Sequence, residues 1–150
     1  MNHFLLLGSR QGKVRLSKFF SSFGGRDRQK ETKEVVSTVL HRSNRLCNVI
    51  EYKEIKIVYR RYASLYFIVG IDSSDNELLA LETIQHFVEI LDKYFGNVCE
   101  LDLIFNFHKV YYMVDELFLS GVLIESSKRQ VLKNMLAQDA LMTDVESLNK

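Results

Sequence analysis

Glu100 and Asp102 alternate in the segment CELDL, and two carboxylates this close are the nearest the chain comes to an acid and base pair. Carboxylates in a short segment are also common as helix caps and surface groups, so the spacing does not by itself make a catalyst. The four histidines, His3, His41, His86 and His108, are scattered, with no HExxH pair and no paired cysteines at metal-ligand spacing. There is no GxSxG turn to expose a nucleophile and no glycine loop to cradle a phosphate. No catalytic residue, metal ligand or cofactor site is nominated, and the expectation is a binding protein rather than an enzyme.

The elements that could position a binding site are clearer. RRYASLYFIVGI joins two arginines to a run in which Tyr62, Leu65, Tyr66, Phe67, Ile68, Val69 and Ile71 are apolar or aromatic, long enough for a central strand buried on both faces. SSDNE follows, and Ser74, Asp75 or Asn76 can cap a long helix starting near Glu77. Leu78, Leu81, Ile84, Val88, Leu91 and Phe95 form its apolar stripe, widened by Leu79, Phe87, Ile90 and Tyr94, so the helix needs cover on more than one side. Gly96 ends it.

Upstream, Phe4–Leu7 and Lys13–Phe20 predict a hairpin turning through Gly8–Gly12, and Arg26–Arg42 a helix with Val35, Val36, Val39 and Leu40 inward. Cys47–Tyr52 and Glu54–Tyr59 predict two more strands. Downstream, a connecting element runs from Asn97 through Phe105, a helix spans Phe107–Leu119, Gly121 breaks it, and a last helix covers Ser127–Leu141. The order β-β-α-β-β-β-α-α-α predicts an α/β domain with an antiparallel sheet.

Composition bounds the function. The 150 residues fit one domain, and a net charge of +1 argues against general nucleic-acid binding. Charge is uneven, however: Arg10, Lys13, Arg15, Lys18, Arg26, Arg28, Lys30 and Lys33 face only Asp27, Glu31 and Glu34 in the first 34 residues. That end can present a positive field to an acidic ligand or an anionic membrane. Two cysteines, Cys47 and Cys99, make no disulfide framework. The apolar run at the start, Phe4–Leu7, is too short for a secretory signal, and no stretch is long enough for a membrane-spanning helix. A soluble cytosolic chain with reduced thiols is expected.

The blocks LLGSRQGKVRLSKFF, RRYASLYF, DNELLALE and FVEILDKYFGNVCELDLIFNF resemble the small, or sigma, chain of the heterotetrameric clathrin adaptor complexes, almost ungapped from Met1 to about Leu136. SRQGK, RYASLYF, DNEL and DKYFG are most similar to the trans-Golgi and endosomal type, while SGVLIESSKRQVLK is closer to the plasma-membrane type. The resemblance implies an α/β (α+β), longin-like fold, a five-stranded antiparallel sheet flanked by helices, over residues 1–141, with a short tail at 142–150. It implies assembly with a large adaptin whose solenoid cradles this chain, a second large chain and a medium chain. It places the protein on the cytosolic face of the trans-Golgi network, endosomes and clathrin-coated vesicles, with the clathrin coat an indirect partner and membrane association supplied by the complex.

It further implies recognition of the acidic dileucine signal [DE]xxxL[LI] in the cytosolic tails of membrane cargo. The family's binding positions fall on Ala63 and Leu65 of the central strand, Val88 of the long helix, and Asn97, Val98, Leu101 and Leu103 after it, with Arg15 attracting the acid. The chemistry suits such a ligand, since two adjacent aliphatic side chains need apolar pockets and the acid needs a cation. Without the resemblance, Leu65, Val88, Leu101 and Leu103 read as core, Arg15 as a surface arginine and Asn97 as a helix-exit residue. A scaffold-only longin-like coat or tether subunit is the alternative expectation.

Overall fold

The computed structural model describes residues 2–21, 25–42, 48–119, 122–123 and 128–148, with 119, 122–123, 128–131 and 143–148 described by backbone alone. Cys47, Gly121, Ser127 and most of SGVLIES lie outside the described residues. One five-stranded antiparallel sheet has the order β2-β1-β5-β4-β3. Its strands are β1 (Asn2–Ser9), β2 (Val14–Phe19), β3 (Val49–Tyr52), β4 (Ile55–Tyr62) and β5 (Leu65–Asp72). The expected central strand is therefore central, and its long apolar run has a cause: both faces are covered.

On one face, Leu5 and Leu7 of β1 join Leu65, Phe67, Val69 and Ile71 of β5 in the larger core. Helix α2 (Glu77–Phe95) closes this face with Ala80, Ile84, Phe87, Val88, Ile90 and Leu91. On the other, Phe4, Leu6, Ile57, Tyr59 and Ile68 receive Val35, Val36 and Val39 of α1 (Arg28–Leu40). Period-two alternation thus splits each central strand between two cores. Gly70 sits opposite Phe4 in the β1–β5 register, and a Cβ there would meet the Phe4 ring at 2.4 Å.

Asn76 is the residue that caps α2, its Oδ1 accepting the Leu78 amide at 2.9 Å, and Gly96 ends the helix with φ 66°. Two members of the expected, widened stripe depart from it. Leu78 is 72 % exposed and Leu79 61 %. At about 100° per residue Leu78 lies about 120° around the helix from Ile84, off the buried face.

The connecting element after Asn97 contains a short helix, α3 (Glu100–Phe105), followed by α4 (Phe107–Leu117). A small antiparallel pair, β6 (Phe118–Leu119) with β7 (Val122–Leu123), stands where the sequence suggested the end of a helix. Helix α5 (Lys128–Leu148) continues seven residues beyond the expected Leu141. Asp139 holds it in place, accepting from the Tyr94 hydroxyl of α2 and pairing with Lys109 of α4 at 3.0 Å.

Strand β2 is an edge of the sheet, and α4 covers part of it. The Tyr111 hydroxyl accepts the Ser17 amide at 3.2 Å and donates to the Ser17 carbonyl at 3.1 Å, so both backbone groups of one outward-facing residue are satisfied. Lys18 pairs with Asp115 at 2.9 Å beside it.

Candidate functional site

The expected site residues come from four elements, and the structure sorts them into two groups. Leu65 at the start of β5, Val88 of α2, Val98 in the loop after α2 and Leu103 of α3 belong to one core cluster, none more than 3 % exposed. Ala63, Asn97 and Leu101 are exposed. Arg15 on β2 stands between, half-buried and engaged.

Ala63 is not on the central strand as expected. Tyr62 pairs with Leu65 across the β4–β5 hairpin, which leaves Ala63 and Ser64 as a two-residue turn with Ala63 at φ 53°. Such tight hairpins require positive φ, for which the sequence signal is Asn or Gly, so YASL read as continuous strand. Alanine's small side chain keeps the cost of that conformation below that of a branched residue. Asn97, at φ 62°, follows Gly96 at φ 66°, and the two left-handed residues reverse the chain from α2 toward α3.

The two walls of this region are tied together by Asp92, which the sequence did not single out. Its Oδ1 accepts from the Tyr62 hydroxyl at 2.8 Å and from the Val98 amide at 3.3 Å. That carboxylate, as hydrogen-bond partner, raises the pKa of the Tyr62 phenol and keeps it a donor. No periodicity could have revealed this. Asp92 sits on the polar flank of the α2 stripe, where an aspartate is unremarkable.

Glu100 and Asp102, the pair that opened the question of acid and base chemistry, are both committed. Asp102 Oδ2 accepts the Cys99 amide at 2.9 Å, the third-position carboxylate of a helix cap, and so fixes the start of α3. Glu100 Oε1 accepts from Arg15 Nε at 2.7 Å, with the two side chains 23 % and 26 % exposed. Among the eight cations read at the N-terminal end, Arg15 pairs with Glu100 and Lys18 with Asp115 within the fold. Cys99 is a free, half-buried thiol, and among the described residues no three His, Cys, Asp or Glu side chains are grouped to hold a metal. No described helix is long and apolar enough to cross a membrane.

The arrangement is therefore a cation paired with the first residue of α3, an exposed aliphatic residue next in sequence, and buried aliphatic residues in the core. Leu101 is 60 % exposed, and Ile104, Phe105 and Phe107 extend the apolar surface around the α3–α4 corner. The family model described as "Clathrin adaptor complex small chain" matches residues 1–142. The chain belongs to that family. Among relatives, "AP-1 complex subunit sigma-2" of Dictyostelium discoideum is 59 % identical over 140 residues, 93 % of this chain and 91 % of that protein. "AP-1 complex subunit sigma-1" of Schizosaccharomyces pombe is 60 % identical over 137 residues, 91 % of this chain and 85 % of its own length. Human "AP-1 complex subunit sigma-1A" is 47 % identical over 147 residues, 98 % and 93 % of the two chains.

A chain in a structure described as a homology model of the full-length AP-3 complex in a stretched open conformation superposes with a TM-score of 0.71. It is 26 % identical over 98 % of both chains. The small chain thus has the longin-like α/β fold, and these three relatives are AP-1 sigma subunits, the type to which SRQGK and DKYFG pointed. It is a small subunit of clathrin adaptor complexes acting in vesicle transport, and not an enzyme.

Proposed function

We propose that this small chain binds acidic dileucine signals of membrane cargo at Arg15, Ala63, Leu65, Val88, Asn97, Val98, Leu101 and Leu103, while stabilising the core of its complex. The observation that carries the reading is a cation held at the start of an element with an exposed aliphatic residue: Arg15 reaches Glu100 at 2.7 Å, and the next residue, Leu101, is 60 % exposed, while Val98 and Leu103 on either side in sequence are buried. A signal of the form [DE]xxxL[LI] has the complementary order of charge and apolar side chains. Docking needs the buried aliphatic residues to part or turn, because Leu65, Val88 and Leu103 now fill the space between strand and helix.

The partners follow from the same reading: a large adaptin solenoid over the exposed apolar residues, a second large chain, a medium chain, cargo tails, and the clathrin coat indirectly. The complex works on the cytosolic face of the trans-Golgi network and endosomes. A scaffold-only subunit is the second reading, favoured by the complete burial of four site residues as ordinary core.

One titration separates the two. An acidic dileucine peptide and the same peptide with alanine for its acid are measured against complexes carrying wild-type or Arg15→Ser small chain. The acidic peptide is expected to lose up to about 1–2 kcal/mol on the substitution, and the neutral peptide almost nothing. Higher salt narrows the difference between peptides. A coupling energy near zero removes Arg15 from the site, and no binding by either peptide leaves the scaffold.

A further inference from the structure

The position of Glu100 bears on how that site reads its ligand. A carboxylate already sits on the guanidinium that is to attract the signal's acid. Glu100 Oε1 accepts from Arg15 Nε at 2.7 Å, across 85 residues of sequence. It is held there by its element: Glu100 is the first residue of α3, and the Asp102 carboxylate fixes the turn by accepting the Cys99 amide. With both side chains about three-quarters covered, neither is free to wander into solvent.

Resting on the dileucine reading, we infer that Glu100 is a specificity-determining residue of the cargo site, one that holds down its preference for an acid. Two effects act in the same direction. Glu100 takes the Nε donor, so a second carboxylate is left the terminal nitrogens and loses the two-pronged approach through Nε. Its negative charge also offsets that of Arg15, so an incoming acid meets a nearly neutral pair. The aliphatic part of a signal is indifferent to both. The site would then accept signals with a neutral residue in place of the acid more readily than a bare arginine would allow.

The ion pair is not needed to fasten β2 to the helices. Tyr111 bonds both backbone groups of Ser17, and Lys18 pairs with Asp115 at 2.9 Å, so two other links already join β2 to α4, the helix that follows α3. Removing the charge on Glu100 should leave the fold intact. Glutamine keeps the shape and the acceptor oxygen while discarding the charge, which makes Glu100→Gln the informative change.

The experiment uses the reconstituted complex and two peptides, one with glutamate and one with alanine at the acid position of [DE]xxxL[LI]. In Glu100→Gln the glutamate peptide should bind about 3- to 10-fold tighter while the alanine peptide shifts less than about 2-fold. The gain should shrink as salt rises and vanish in the Arg15→Ser, Glu100→Gln double variant. The melting temperature should move by no more than about 3 °C. If glutamine disturbs assembly, Glu100→Ala is read in the same way. Unchanged or weaker binding of the glutamate peptide, with Arg15→Ser still abolishing discrimination, would overturn the inference: Glu100 would be a strut that orients Arg15, and the dileucine site would stand. Discrimination that survives Arg15→Ser would instead remove the reading on which the inference rests.

Discussion

The Tyr62 hydroxyl donates to Asp92 Oδ1 at 2.8 Å, and the oxygen it reaches also accepts the Val98 amide at 3.3 Å. One carboxylate therefore sets the distance between the β4–β5 turn and the loop after α2, the two segments that carry Ala63, Asn97 and Val98. Tyr62→Phe deletes a single oxygen and leaves the ring packed. A hydrogen bond to a charged group is stronger than a neutral one, but solvent access weakens this one. Stability of the complex should fall only slightly, with a larger loss in affinity for a dileucine peptide, read by thermal unfolding and titration of one preparation. Equal losses in both would make Tyr62 a stability residue only.

Substitutions at the buried half of the site differ in what they report. Val88 is 3 % exposed and lies among Phe87, Leu91 and the β5 core, so Val88→Asp places an uncompensated charge in the interior. That variant should fail to assemble. Leu103→Ser, at the edge element α3, and Val88→Ala each open a cavity and cost about 1–4 kcal/mol. Both should yield complexes that are recovered intact by gel filtration yet bind the dileucine peptide at least about 10-fold more weakly. Unaltered peptide affinity in both would place the signal elsewhere.

A third expectation concerns acid. Glu31 of α1 accepts from Lys53 and Tyr52 at the β3–β4 turn, and those bonds, Lys53 first, hold its pKa below the usual carboxylate range. A lowered folded-state value means that the contribution is fully present above about pH 4.5, the ordinary glutamate range, and is lost as pH falls through the folded value. Wild type should therefore melt higher than Glu31→Gln at pH 6–7, with the gap closing toward pH 3. Carbon-detected NMR titration of Glu31 should show its midpoint rising in Lys53→Gln. A gap that stays constant with pH would refute the linkage.

How legible the chain was depended on the range of each cause. Strands and helices built from local alternation were read well: β5 from its apolar run, α2 from its stripe, Asn76 and Gly96 from cap chemistry. Leu78 was misplaced because a list of three- and four-residue steps tolerates drift around the helix, while burial does not. Ala63 was read as strand because nothing in YASL marks a hairpin turn, and α3 as a connector because six residues are too few for a period to emerge. Asp102, three residues after Cys99, was the one local sign of a helix start. Asp92 with Tyr62 and Glu100 with Arg15 join residues 30 and 85 apart, beyond any pattern along the chain. The site positions themselves came from likeness to a family, since an aliphatic core and an aliphatic pocket use the same residues.

The placement of β1 between β2 and β5 has a consequence in time. β1 and β2 meet across a short turn, and β4 and β5 across a tighter one, but Leu5 pairs with Val69 over more than sixty positions. During synthesis the first hairpin leaves the ribosome with the inner edge of β1 bare, and it stays bare until residues near Ile71 emerge. Pairings so distant along the chain are late and slow to form. Throughout that interval a strand of four consecutive apolar residues, Phe4–Leu7, is open to any other unpaired edge. Chaperone occupancy of nascent chains should therefore be greatest after the first hairpin and fall once β5 has cleared the exit tunnel.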